Sequence, residues 1–288
     1  MTNRRYYSAR TGKNPNVHLD LPILLRLLKD LYGSFNAKEY FQEAFGYDCV
    51  DAGFVPGSLG HDIEAHILRK LRKPGLWPIY EKWEQYSEDD SFDIIEFLYD
   101  YVSKPVEGYY HDYGSCGWHY QSFNAEIGRQ EWRAEINELL RDYQDGYELS
   151  SDGEILALAE RGLENLLQAN LPSYDPENVE DRVAKAILKF RRYRSSFEER
   201  KDAIRDLADV LEFLRPKLKI VITKNDENDL FNLANNFGIR HHNDSQKTDY
   251  DRAIWLSWMF YYYLATIHAS LRLIEKHASS TSQPQVQT

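Results

Sequence analysis

Between Arg252 and Arg272 the chain runs for nineteen residues, "AIWLSWMFYYYLATIHASL", without an Asp, Glu, Lys or Arg. A helix of that composition must hide most of its surface, either in a bilayer or at the centre of a protein core. Ser257, Thr266, His268 and Ser270 interrupt the run, and its tyrosines stand mid-segment instead of in two interfacial belts. The expectation is therefore a buried helix of a bundle, apolar on all sides, with Trp258, Phe260 and Leu264 in the core. His268 is expected to be a core histidine bonded to a neighbour.

The rest of the chain also reads as helix after helix. "DLPILLRLLKDLYG" repeats apolar residues at three- and four-residue steps and is expected to stop at Gly33. "NAKEYFQEAFG" offers Asn36 as an N-cap, Glu39 as its capping-box partner and Gly46 as a stop. Further helices are expected over 58–72, over "DSFDIIEFLYDYV", from His119 to Tyr143 and from Glu154 to Ala169. Residues 104–118, "KPVEGYYHDYGSCGW", read as an ordered loop, and "GYELSSDGEILAL" as a short hairpin. "NLPSYDPEN" marks the expected domain boundary. Beyond it "VEDRVAKAILKFRRYR", "FEERKDAIRDLADVLEFL", "ENDLFNLANNF" and the uncharged helix make four helices, enough for a bundle. The fold class is thus all-α: a helical N-terminal domain over 1–172 with a short β-hairpin, a helical bundle over 173–278, and a disordered tail over 279–288.

A net charge of −11 argues against a dedicated duplex-binding surface, although not against a local basic groove. Two cysteines, Cys49 and Cys116, cannot form a disulfide framework or a paired-cysteine zinc motif. The opening "MTNRRYYSARTGKNPN" is polar and basic with no apolar core behind it, so the expectation is no signal peptide and a cytoplasmic protein.

Two stretches carry candidate chemistry. "NLANNFGIRHHND" gathers Asn235, Asn236, Arg240, His241 and His242 within eight residues. If helix continues through it, Asn235 and His242 share one face and Asn236 and Arg240 another. The same residues also suit a helix C-terminus, where cations meet the last carbonyls. The second stretch, from Arg182 to Arg205, holds nine Lys or Arg against three acids. Its centre, "KFRRYR", offers Lys189, Arg191, Arg192 and Arg194 to phosphates and Tyr193 to a base; a solvated helix face would look the same. Weaker groupings are His61 and His66 in "HDIEAH", and Cys116 and His119 in "CGWH" with His111 nearby. Their spacing matches no zinc pattern, so no metal or other cofactor is expected. The polar residues of 1–170 suggest no convergent set.

The helix "RKDAIRDLADVLEFL" followed by "LANNFGIRHHND" resembles a HEPN domain, the four-helix module of many bacterial defence and toxin ribonucleases. With "YYSARTGKNP", "DIIEFLYDYV" and "YELSSDGEI", most of the chain resembles AbiJ-like abortive-infection proteins, in which a helical N-terminal domain precedes a HEPN-like one. The resemblance implies a metal-independent endoribonuclease of an anti-phage or toxin-type system, with RNA as substrate. It also implies a homodimer building its site from two copies of residues 235–242, and a possible protein partner or antitoxin. Histidine would then carry the proton steps and Arg240 the phosphate. HEPN motifs open on an arginine, where this chain has Ala234 or Asn235. A non-catalytic HEPN-like scaffold or partner-binding protein is the alternative. The N-terminal domain is expected to act as a sensor or partner surface.

Overall fold

The computed structural model describes residues 6–13, 18–160, 162–236 and 251–281. The chain divides into two compact units, Met1–Leu158 and Ala159–Thr288.

The first unit strings together α1 (Tyr7–Arg10), α2 (Leu21–Asn36), α3 (Gln42–Phe45), β1 (Tyr47–Cys49), β2 (Gly53–Val55), α4 (Ile63–Leu71), α5 (Ile79–Lys82), α6 (Glu88–Tyr101), β3 (Lys104–His111), β4 (Gly117–Asn124), α7 (Ala125–Leu140), β5 (Tyr147–Leu149) and β6 (Ile155–Ala157). Its strands form three separate antiparallel ribbons, β1–β2, β3–β4 and β5–β6. Local signals set the helix starts. The Asp20 carboxylate accepts from the N–H of Ile23, Asn124 accepts from that of Ile127, and Ser87 with Asp90 closes a capping box on α6.

The core of this unit is aromatic. Trp132 is fully buried and meets the rings of Phe35 and Phe41 edge-on, at centroid separations of 5.1 and 5.8 Å. That contact explains why α2 does not stop at Gly33: burying Phe35 carries the helix onward to Asn36 despite the glycine, which costs only about 1 kcal/mol. Asn36 therefore closes a helix instead of capping one, and Glu39 sits in a turn at φ 65°.

Side chains dock the ribbons. Asn137 on α7 donates to the carbonyl of Leu149 and accepts from its N–H, while Glu96 on α6 accepts from the N–H of Ile155. The expected β5–β6 hairpin is present, but the helix expected over 154–169 is reduced to Glu164–Gln168, because Ile155–Ala157 are strand. Likewise 104–118 is not a loop, and the helix expected from His119 begins only at Ala125. The α4 helix is shorter than expected, starting at Ile63.

The second unit contains α8 (Glu164–Gln168), α9 (Asp181–Arg191), α10 (Phe197–Val221), α11 (Lys224–Asn236) and α12 (Arg252–Thr281), with no strand among its described residues. Leu163, Leu166, Leu167 and Leu171 pack on its core, so the expected boundary at "NLPSYDPEN" lies inside this unit. Of the tail expected to be disordered, Ser279–Thr281 are instead the last residues of α12, and 282–288 lie outside the described residues.

On α12 the most deeply buried apolar positions are Leu256, Met259, Phe260, Tyr263, Leu264, Ile267 and Leu271, a stripe at helical spacing. It meets Ile204, Leu207, Leu211, Leu214 and Leu218 of α10, and Phe260 stacks on Phe190 of α9 at 3.9 Å. His268 is buried, and that burial lowers its pKa, with Arg272 adding to the effect. Trp258 departs from expectation: it is 43% exposed, between Trp255 and Tyr262 on the outward face. The helix is thus buried along a wide stripe and not all round. Among the described residues, no helix is long and apolar enough to cross a membrane.

Leu264→Ala should consequently destabilise the second unit by about 2–5 kcal/mol, whereas Trp258→Ala should cost closer to ~1 kcal/mol. Urea unfolding followed by far-ultraviolet circular dichroism measures both, and a reversed order would contradict this placement of the stripe.

Candidate functional site

Helix α9 turns Val183, Ala186 and Phe190 inward. That choice leaves Arg182, Lys185, Lys189 and Arg192, spaced three or four apart, on an adjoining face. With Leu188 and Asp206 of α10 they line a cavity of about 510 Å³. Asp206 pairs with Lys189 at 2.5 Å. Four cations and one carboxylate make a concave, net positive surface suited to a polyanion. Of the residues singled out in "KFRRYR", Lys189 and Arg192 line the cavity, together with Arg182 and Lys185. Arg191, Tyr193 and Arg194 are not among the lining residues. The Arg194 guanidinium lies over the Tyr193 ring, 5.0 Å from its centroid, so one ring face already carries a cation.

The start of α11 is pinned to α10. Arg215 Nε donates to Glu227 at 2.6 Å, and its guanidinium covers Phe231 at 4.3 Å. The Arg215 bond holds the Glu227 carboxyl below its ordinary range, against a smaller opposing effect of desolvation and with help from Lys219. Asn235 and Asn236 are the last described residues of this helix. Arg240, His241 and His242 lie outside the described residues.

Periodicity and spacing missed a different convergence, in the first unit. The thiols of Cys49 and Cys116 and one ring nitrogen each of His111 and His119 all lie within 4.8 Å of one another. Cys49 ends β1, His111 ends β3, Cys116 sits in the turn that follows, and His119 points inward from β4. Two features shape the long ribbon. At Gly108 the strands run so close that a Cβ would meet the carbonyl oxygen of His119 at 2.5 Å, and Gly114 turns the chain at φ 62°. Gln42 of α3 fixes the ribbon's edge, donating to the carbonyl of Trp118 at 2.9 Å and accepting from the N–H of Tyr120 at 2.7 Å. This amide takes the place of a third strand.

The separations within the cluster are 3.8 Å from Cys49 Sγ to His111 Nδ1 and 3.1 Å from Cys116 Sγ to His119 Nε2. The outer ring nitrogens are engaged as well: His111 Nε2 with Asp51 at 3.2 Å, and His119 Nδ1 with the Tyr109 hydroxyl at 3.2 Å. Burial, then the neighbouring His111, lowers the His119 pKa and favours the neutral ring. Two thiols and two imidazoles so placed form a donor set able to hold one metal ion, in the part of the chain where no convergent set was expected. His61 and His66 do not share in it. The first lies against Phe54, and the second bonds through Nε2 to the Tyr101 hydroxyl.

Comparison of the sequence with protein-family models, with curated proteins and with solved structures finds no match.

Asp206→Asn should strengthen binding of a polyanion such as heparin at this cavity, since it removes the carboxylate that lines it among the described residues, and the gain should fade at high salt. Fluorescence anisotropy over a salt series would show this.

For Glu227 the folded pKa is depressed, so its contribution to stability is full above the ordinary value of 4.5 and is lost as pH falls through the folded value. Glu227→Gln should therefore be less stable than wild type at neutral pH, with the gap closing in acid. Unfolding midpoints measured across that range test the sign.

Proposed function

We propose that this protein acts on RNA, as a HEPN-like, metal-independent endoribonuclease of the abortive-infection or toxin type. The supporting observation is the cavity lined by Arg182, Lys185, Lys189 and Arg192 in the same helical unit as the "NNFGIRHH" segment. Arginine and lysine there would hold the phosphate backbone without reading sequence. Cleavage would proceed by attack of a ribose 2′-oxygen on the adjacent phosphorus. His241 or His242 would take the 2′-hydroxyl proton, Arg240 would offset the charge on the phosphorane oxygens, and the P–O5′ bond would break as the 5′-oxygen gains a proton. Asn235 or Asn236 would orient the phosphate from the end of α11. A homodimer would bring two such segments together, and a protein partner or antitoxin would restrain them in a cytoplasmic setting.

The missing motif arginine favours a second possibility, an RNA-binding scaffold of the same fold that does not cut. One assay separates the two: purified protein, magnesium-free buffer, and RNA beside a copy carrying 2′-deoxyribose throughout. A nuclease leaves 2′,3′-cyclic phosphate ends and spares the deoxy copy. His241→Ala or His242→Ala should then lower the rate by about 10² to 10⁴-fold. Arg182→Glu with Lys185→Glu should weaken RNA binding and flatten its salt dependence. Binding without cleavage supports the scaffold, and unaltered binding by the double charge-reversal variant would rule out this cavity as the RNA surface.

A further inference from the structure

We infer that Cys49, His111, Cys116 and His119 bind one zinc ion as a closed structural site that clamps the β1–β2 ribbon to the β3–β4 ribbon. The inference stands apart from the ribonuclease proposal, because it concerns the other unit and uses none of the same residues.

The donor set argues first. Two thiolates and two neutral imidazoles are a standard tetrahedral complement for zinc, and their charge balances that of the ion as two thiol protons leave for solvent. Zinc–sulfur bonds of ~2.3 Å and zinc–nitrogen bonds of ~2.0 Å in a tetrahedron place neighbouring donors roughly 3.3–3.8 Å apart. The separations of 3.1 and 3.8 Å lie close to that range, and the others, all within 4.8 Å, need a contraction of at most about 1 Å to meet it.

The second argument lies one bond further out. A zinc-bound imidazole commonly donates its other N–H to a carboxylate or another oxygen, which fixes tautomer and ring plane. Both histidines have such a partner. His111 turns Nε2 to Asp51 and keeps Nδ1 for the cluster, whereas His119 turns Nδ1 to the Tyr109 hydroxyl and keeps Nε2. Opposite nitrogens face inward on the two rings, yet each outer nitrogen meets an oxygen.

The third argument is mechanical. The β1–β2 ribbon has three residues per strand, and an isolated two-stranded ribbon is marginal in water at best. Cys49 comes from this ribbon and the other three donors from the β3–β4 hairpin, so a bound ion would cross-link segments more than sixty residues apart in sequence. Four protein donors fill a tetrahedron and leave no position for water or substrate, which makes the site structural and not catalytic.

The test uses full-length protein freed of any histidine tag and purified without chelator. Elemental analysis should find about one zinc per chain, and Cys49→Ser with Cys116→Ser should abolish it. Replacement by cobalt should give the intense visible bands of a tetrahedral, thiolate-bound ion. Asp51→Asn leaves all four donors in place and guards against a trivial failure to fold: it should stay folded, still bind zinc, and lose about 10–100-fold in affinity against a competing chelator. The inference is overturned if the reduced protein takes up no zinc, if the double-cysteine variant binds as much, or if thiol titration finds Cys49 and Cys116 joined in a disulfide.

Discussion

Burial of the α12 stripe against α10 is the interaction on which the C-terminal unit depends, and the basic cavity is a by-product of it. Each fully buried Leu, Ile, Phe or Met contributes about 1.5–3 kcal/mol, and the stripe supplies seven large side chains. The Lys189–Asp206 pair, partly exposed on both sides, is worth no more than about 1 kcal/mol. Apolar packing therefore decides where α9 goes. Once Phe190 is stacked on Phe260, helical geometry alone places Arg182, Lys185, Lys189 and Arg192 side by side. Charges that contribute so little to the fold could serve a ligand at little cost to stability.

The N-terminal unit is built on another principle. Its ribbons are short, and individual polar side chains help to seat them: Gln42 at β4, Asn137 at β5 and Glu96 at β6. Each is a helix residue that satisfies strand backbone groups which would otherwise be costly to bury. Glu96 shows the strain of that duty. Desolvation raises its pKa, Asp93, Glu154 and Asp100 add to the rise, and the bond from Ile155 opposes it. The β1–β2 ribbon stands at the limit of this scheme, and there a metal ion would add most.

Much of the helical architecture is legible in the sequence, because amphipathic spacing and capping residues are local signals. α6 and α9 fall where periodicity places them, and α10 and α12 begin there but run further, to Val221 and Thr281. What escapes is decided at a distance. "GYYHDYGSCGWHYQSF" reads as loop and helix because its alternation is aromatic and polar, not apolar and polar. Its edge is satisfied by Gln42, which no short window contains. Trp258 was expected inside because composition alone marks the uncharged run, whereas the stripe that faces α10 is set by packing. The cysteine and histidine cluster was hidden for the same reason. Cys116 and His119 are neighbours in sequence, but Cys49 joins them only through the folding of two ribbons, and no spacing rule spans that gap.

The two proposals change how the action of a chelator on this protein should be understood. A closed Cys2His2 site offers no coordination position to a phosphate, so its zinc could take no part in a cleavage driven by histidine and arginine. Yet a ligand that binds only the folded state stabilises it by mass action, and stripping zinc would withdraw that contribution from the N-terminal unit. A chelator could thus unsettle the N-terminal unit even where the cleavage proposed for the C-terminal unit needs no metal. The time course distinguishes the causes. A catalytic ion exchanged at an open site is lost at once and replaced by added magnesium, whereas a structural zinc leaves as its ribbons open, and magnesium, which prefers oxygen donors in an octahedron, cannot substitute for it. Slow loss of structure in the N-terminal unit that zinc reverses and magnesium does not would therefore belong to the fold and not to the chemistry.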